Sequence, residues 1–362
     1  MQSFNWQLDD RASMHGGAIQ KNPAATSQIS RRVMRQARHL QRLFSTAMFA
    51  YYLHDLSPHL LKFTDTIALH WYGLSYVLGF YLTYLVMRVL ARRGLSEIKE
   101  EAVADFITMV SIFGLVLGGR LGFMLLYNFD EFIRAPWIFF LLNQGGMASH
   151  GGIAGTTLFC GWYAWKHKIS WAGIGDSIVC GAPLGVFLGR IANFINGELF
   201  GRVTNVSWAV KFPTEILHED FYRQGGQPGL IPEGVQHSPD IIAFFEQYRG
   251  GRTELEAVLH PRHPSQLYEA LGEGLLLSAI LIFIRLRFPR LRQGIITGLF
   301  FILYAIARIA LEFVRQPDSG SEMILGLTKG QFFSTFMFIV GGLFIGYGLK
   351  WGKSPPGAAA HA

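Results

Sequence analysis

From Gly330 to Leu349 the chain runs for twenty residues without a charge. At about 1.5 Å of rise per residue, a helix of that length crosses a hydrocarbon core of about 30 Å. Inside lipid every backbone N–H and C=O must be paired within the protein, which restricts spanning structure to helices and closed barrels. Earlier apolar stretches follow the same pattern, so spans are expected at about 67–90, 103–127, 151–166, 175–196, 264–286, 294–314 and 330–350. Half of the 362 residues are hydrophobic and only 16% are charged, which suits long spans diluted by polar connections. The expected fold is an all-α polytopic membrane protein with seven transmembrane helices.

Basic residues in the short connections give the chain a direction. Arg92, Arg93 and Lys99 follow the first span, Lys166 and Lys168 the third, and Arg285, Arg287, Arg290 and Arg292 the fifth. Lys350 and Lys353 follow the last, whereas on the opposite side the connection between spans two and three holds Arg134 and that between spans six and seven holds Arg315 and Lys329. The positive-inside rule then places the N-terminus outside and the C-terminus inside, with 351–362 as a short cytoplasmic tail. A catalytic domain is expected over 51–350. Its external insertion, about 197–262 between spans four and five, is rich in Gly, Pro and charge. It reads as a small external subdomain with no fold signal of its own.

The net charge of +7 is concentrated at the start: residues 1–47 carry seven basic side chains against two acidic ones. This extension, taken as residues 1–50, is polar and aperiodic and reads as disordered. Its charge opposes the outside location the topology gives it, so translation is expected to start at Met48. The basic balance does not indicate nucleic acid, because no basic helix with interleaved aromatics occurs. Cys160 and Cys180 both fall inside apolar helices, as small core residues rather than a disulfide framework or metal site.

Against this background three arginines stand out. Arg120, Arg190 and Arg308 each lie well inside a separate apolar stretch: LGGRLGFMLLY, FLGRIANFING and YAIARIALEF. A charge in a spanning helix costs at least about 2.5–3.5 kcal/mol, so such residues face an interior and serve a function. Spans two, four and six run outward, which puts all three guanidiniums roughly 20–25 Å above the inner helix ends. His150 before span three, His263 and Glu269 at the start of span five, and Glu312 one turn beyond Arg308 fall at the same level. A polar chamber in the outer half of the membrane accounts for all of them, and three cations there call for an anion such as a lipid phosphate. LGGRLG and FLGRIA also resemble each other, too briefly to establish a repeat.

The string GRIANFINGELFGR, residues 189–202, resembles the diagnostic pattern of the prolipoprotein diacylglyceryl transferase family. Gly189, Arg190, Asn193, Phe194, Asn196, Glu198 and Gly201 fall on it, with Ala192 where glycine is frequent. HWYG at 70–73, LGGRLG at 117–122, GGMASHGG at 145–152, HPSQLYE at 263–269 and RIALEFVRQPD at 308–318 match the family in order. The resemblance runs from about 52 to 350. Ala148-Ser149 departs from the usual wording, and about 215–260 does not match closely.

The resemblance implies an enzyme of the bacterial inner membrane. It moves the sn-1,2-diacylglyceryl group of phosphatidylglycerol onto the lipobox cysteine of a preprolipoprotein. A thioether forms and glycerol 1-phosphate leaves. The nucleophile belongs to the peptide, so no reactive cysteine is needed in the enzyme, and the reaction calls for no metal or cofactor. The thiol must shed its proton, and fixed guanidiniums stabilise the departing phosphate better than ammonium groups would. Arg190 and Arg308 are expected to grip the phosphate, and Glu312 to orient Arg308 or relay a proton. Arg120 either caps the chamber or ties helices together. His150 is the expected general base, with His263 as rival. Gly151 and Gly152 would let backbone approach a headgroup, and Asn193, Asn196, Glu198 and Gly201 would hold it. Tyr72 alone reads as an interfacial aromatic; the family match gives it a site role, and Glu269 and Tyr304 are expected to support the arginines from behind. An anion or lipid transporter using the same arginines is the rival reading, disfavoured by the nearly uninterrupted apolar inner halves of spans two, six and seven.

Overall fold

The computed structural model describes residues 51–63, 68–141, 145–218, 221, 241–242, 251–316 and 326–358. The basic extension with its Met48 start, most of 219–250 in the insertion, Pro317-Asp318 of the RIALEFVRQPD string and the last four residues lie outside these. The described part is mostly helical. Helices α1 (Trp71–Arg92), α2 (Glu100–Leu126) and α3 (Phe129–Arg134) come first, then α4 (Ser149–His167), α5 (Trp171–Ile195) and α6 (Arg252–Val258). Helices α7 (Ser265–Arg287), α8 (Ile295–Leu311) and α9 (Lys329–Trp351) complete the order.

Among these, α1, α2, α5, α7 and Gly330–Trp351 of α9 are long and apolar enough to cross a membrane. Helix α8 is apolar but has only 17 residues, and α4 is diluted by His150, Lys166, His167 and its threonines. The chain is therefore an all-α membrane protein, with five helices among the described residues long and apolar enough to span. Four short strands form two small pairs at its margin, with β1 (Tyr52–Leu53) parallel to β4 (Val210–Lys211), and β2 (His59–Lys62) antiparallel to β3 (Ala68–His70). Ala68–His70, expected to lie in the first span, instead form a strand of that second pair.

Local chemistry sets the helix ends. Thr328 and Gln331 cap each other's backbone at the start of α9, a capping box. Ser170 accepts from Gly173 N–H at the start of α5. Lys168 takes the left-handed conformation (φ 54°) that ends α4 and lets α5 begin three residues later.

Glycines decide which helices touch. On α2 and α4, a Cβ added at Gly151 would lie 2.7 Å from Gly122 Cα, and one at Gly118 would lie 2.8 Å from Gly155 Cα. On α1 and α5, a Cβ at Gly79 would lie 2.9 Å from Gly185 Cα. In lipid, where apolar side chains gain nothing by leaving solvent, such close backbone packing drives association. The same packing joins α8 to α9 through Gly298 and Gly341. The insertion, expected to lack a fold signal, has a small core: Leu53, Ile216, Phe221, Ile241, Leu255 and Leu259 are buried together. Its members are scattered over some two hundred residues, so no local periodicity reveals it.

Candidate active site

The GRIANFINGELFGR string straddles the end of α5. Gly197 (φ 68°) closes the helix in a Schellman turn, with Glu198 N–H donating to Asn193 C=O (3.1 Å) and Gly197 N–H to Phe194 C=O (2.9 Å). The turn folds the Glu198 carboxylate back over the helix, where its Oε1 accepts from Asn193 (3.0 Å) and Asn196 (3.3 Å). Asn193 also donates to the Tyr72 hydroxyl of α1. Gln266 donates to the Glu198 carbonyl at 2.6 Å. Asn196 Oδ1 and Gln266 Oε1 are buried without a hydrogen-bond partner, an arrangement suited to accepting hydroxyl donors from a ligand.

Gly201 lies where three segments cross. A Cβ there would sit 2.5 Å from Val314 C=O and 2.8 Å from His263 C=O. Gly201 N–H donates to His263 C=O and Arg202 N–H to Val314 C=O, each near 2.9 Å. Any side chain would push the lead-in to α7 and the end of α8 away from α5.

That crossing gathers the charges. Arg190 Nη1 lies 2.8 Å from Glu269 Oε2 and its Nη2 lies 3.5 Å from Glu273 Oε2. Arg308 Nη1 lies 3.2 Å from Glu273 Oε1 and 3.7 Å from Glu269 Oε2, and its Nη2 lies 3.6 Å from Glu312 Oε2. Arg315 Nε lies 3.6 Å from Glu269 Oε1, and the Tyr304 hydroxyl donates to Glu273 Oε2 at 3.3 Å. Glu269 and Glu273 are fully buried, while both arginines keep 14–18% of their side chains exposed. The carboxylates thus sit behind and the guanidiniums in front. Glu312 is packed against α9, where a Cβ at Gly330 would lie 2.8 Å from its Oε2.

The front leads into a groove of about 550 Å³ between α1, α2, α4 and α5. Tyr72, Arg190 and Asn193 line one end; Phe80, Ile107, Val110, Ile153, Ile178 and Val186 line its length. It is polar at one end and apolar beyond, the shape of a site for an amphiphile with an anionic head.

Other expected site residues fall elsewhere. Arg120 is buried but apart from this network. Its donors go to the carbonyls of Ile138, Phe139, Leu141, Gly145 and Gly146. It gathers the segment that leads into α4, and the convergence expected of three arginines is one of Arg190 with Arg308. Gly151 and Gly152 face α2, with Gly152 against Leu115, and serve helix contact rather than approach to a headgroup. His150, the second residue of α4, is exposed, with its ring 6.4 Å from that of Phe333. His263 Nδ1 is 3.4 Å from the Tyr268 hydroxyl, and partial burial holds its imidazole below the ordinary histidine value. Glu273 and Gln266 were not among the expected residues. Glu273 was findable, being a charge within the apolar LGEGLLL run.

The family model described as prolipoprotein diacylglyceryl transferase matches residues 58–347. A protein of Bdellovibrio bacteriovorus named phosphatidylglycerol–prolipoprotein diacylglyceryl transferase is 36% identical over 325 residues, covering 80% of this chain and 92% of the relative. One of Neisseria meningitidis with the same name is 38% identical over 290 residues (78% and 93%), and one of Xylella fastidiosa 35% over 295 (80% and 92%). These names support a transferase and lend nothing to the transporter reading. With the family model covering four fifths of its length and these relatives 35–38% identical to it, the chain belongs to the prolipoprotein diacylglyceryl transferase family.

Proposed function

We propose that this protein transfers the sn-1,2-diacylglyceryl group of phosphatidylglycerol to the lipobox cysteine of preprolipoproteins, releasing glycerol 1-phosphate. The observation that carries the reading is the meeting of Arg190 and Arg308, from different helices, on shared buried carboxylates, with Arg190 at the polar mouth of an apolar groove. Acyl chains occupy the groove and the phosphate lies before the two forks. The thiol loses its proton, the thiolate sulfur bonds to the glyceryl carbon, and the carbon–oxygen bond to phosphate breaks. Charge grows on the departing phosphate, and fixed donors in a water-poor site favour that growth more than water would.

The remaining roles follow from position. Glu312 orients Arg308 from the α9 side. Asn196 and Gln266 accept from headgroup hydroxyls, while Glu198, Asn193 and Tyr72 hold the amides in place. Arg120 sets the segment that presents His150, and His150, exposed at the start of α4, takes the thiol proton. Helices α4 and α8 complete seven spans in the bacterial inner membrane, with the N-terminus outside, the C-terminus inside and the site in the periplasmic half.

Reconstitution with phosphatidylglycerol and a lipobox peptide tests the reading. One diacylglyceryl unit should be added to the peptide with release of glycerol phosphate, and absence of both with folded, membrane-inserted protein refutes it. His150→Gln should lose most turnover at neutral pH; a near-normal rate with an unchanged pH profile removes His150 from the base role.

A further inference from the structure

Among the described residues the cluster holds three guanidiniums, Arg190, Arg308 and Arg315, and three carboxylates, Glu269, Glu273 and Glu312. With all six ionised, their charges cancel. A site that only had to attract phosphate would not carry matching negative charge. Glu273 occupies the central place. Its Oε2 faces Arg190 Nη2 at 3.5 Å and its Oε1 faces Arg308 Nη1 at 3.2 Å, so one oxygen meets each fork, as two oxygens of a phosphate would. It cannot retreat readily. The Tyr304 hydroxyl holds Oε2, and a Cβ on the adjacent Gly274 would lie 2.7 Å from Phe187 Cα, so α7 is locked against α5 at this level.

We propose that Glu273 is a built-in competitor for the phosphate. As a positioning residue it keeps Arg190 and Arg308 aimed side by side in the empty site, and it weakens their hold on the glycerol phosphate that must leave. The inference rests on the transfer reaction proposed above. A phosphodiester carries one negative charge. The glycerol phosphate released when its ester bond to carbon breaks carries up to about two. Two unopposed guanidiniums would therefore grip product harder than substrate. The carboxylate behind them reclaims the forks as product departs.

The test uses the full chain with phosphatidylglycerol vesicles and a lipobox peptide, and reads inhibition by added glycerol 1-phosphate. Glu273→Gln keeps the shape and the acceptor for Tyr304 but removes the charge. Product inhibition should tighten roughly tenfold, equivalent to about 1.4 kcal/mol, while kcat falls and KM for phosphatidylglycerol does not rise. Were Glu273 merely structural, its loss would disorder the arginines and weaken inhibition together with turnover. Unchanged or weaker inhibition overturns the proposal. Glu273→Asp, which keeps the charge, should stay within about threefold of wild type; inhibition as tight as that of the neutral variant would also overturn it. Glu273→Met is a second neutral replacement of similar size. If neither neutral variant folds, the charge serves structure and the proposal falls. An inactive wild type refutes the transfer reading beneath; an active wild type with unaltered inhibition in the neutral variants refutes this inference alone.

Discussion

Replacing Arg190 by lysine separates charge from shape. The guanidinium fork spans two carboxylates, with Glu269 at 2.8 Å and Glu273 at 3.5 Å, and the remaining exposed edge faces the groove. A lysine ammonium is a single point of donation and cannot meet both carboxylates and a phosphate in one plane. Removing one preorganised donor from a site that stabilises developing charge costs about 2.7–4 kcal/mol, or about 10²–10³ in kcat. Alanine would be a poorer probe. It would leave buried carboxylates short of a cation at a cost of about 3–5 kcal/mol, a large part of a typical folding free energy of about 5–15 kcal/mol. Lysine keeps the charge and so should keep the fold. The assay is mass spectrometry of a lipobox peptide after incubation with reconstituted protein and phosphatidylglycerol, with thermal unfolding of the same preparation. Arg190→Lys should unfold near the wild-type temperature and lose at least about a hundredfold in turnover. Turnover within about threefold of wild type would refute the assignment of the fork to the leaving phosphate.

Other parts of the molecule give sharper tests of the fold. Gly151→Leu forces a side chain into a contact where even a Cβ would lie 2.7 Å from Gly122 Cα; it should cost about 1–3 kcal/mol or more and depress the melting temperature in detergent, and an unchanged melting temperature would show that α2 and α4 do not meet there. Asp176 is fully buried and bonded to Arg285 (2.9 Å), to Gly294 N–H and to the backbone and hydroxyl of Thr297. Asp176→Asn strands the Arg285 charge and should destabilise by about 3–5 kcal/mol, yet turnover per folded molecule should hold because Asp176 lies about 21 Å along α5 from Arg190; a selective loss of turnover would contradict this. The His54 ring is wedged between Phe194 and Phe212, and burial holds its imidazole below the ordinary histidine value. The neutral ring is the form the fold favours. Its stability is therefore complete above the ordinary value of about 6.5 and drains away as pH falls through the lowered one. The melting temperature should drop further between about pH 7 and 5 in wild type than in His54→Phe, and equal drops would refute it.

The helices were legible because lipid imposes one rule on every span, and a charge-free run such as Gly330–Leu349 has no other fate. Arg190 and Arg308 were legible for the same reason: a cation in an apolar run must have an interior to face. Arg120 satisfies that rule differently. Its LGGRLG setting looks like FLGRIA in sequence, yet its neighbours in space are five carbonyls from a connection about twenty residues downstream, and nothing near Arg120 in the chain announces them. Gly151 and Gly152 carried the opposite difficulty. A glycine pair beside a histidine is equally what a ligand cradle or a tight helix crossing requires, and only the position of Gly122 and Gly118 distinguishes the two. The insertion core and the contacts of Glu215 with His260 and Arg262 join residues too distant in sequence for any periodic pattern to reveal.

The groove is walled by two helix pairs, α1 with α5 and α2 with α4, each fastened by glycines that leave no side chains between the backbones. Such pairs behave as stiff plates, since sliding or parting them would sacrifice contact along a whole edge. At one end the plates are joined by the short passage from α4 to α5 and by exposed ion pairs of Glu100 with Arg88 and Arg92. Tyr72, Asn193 and Arg190 stand at the other end of the groove, away from these ties.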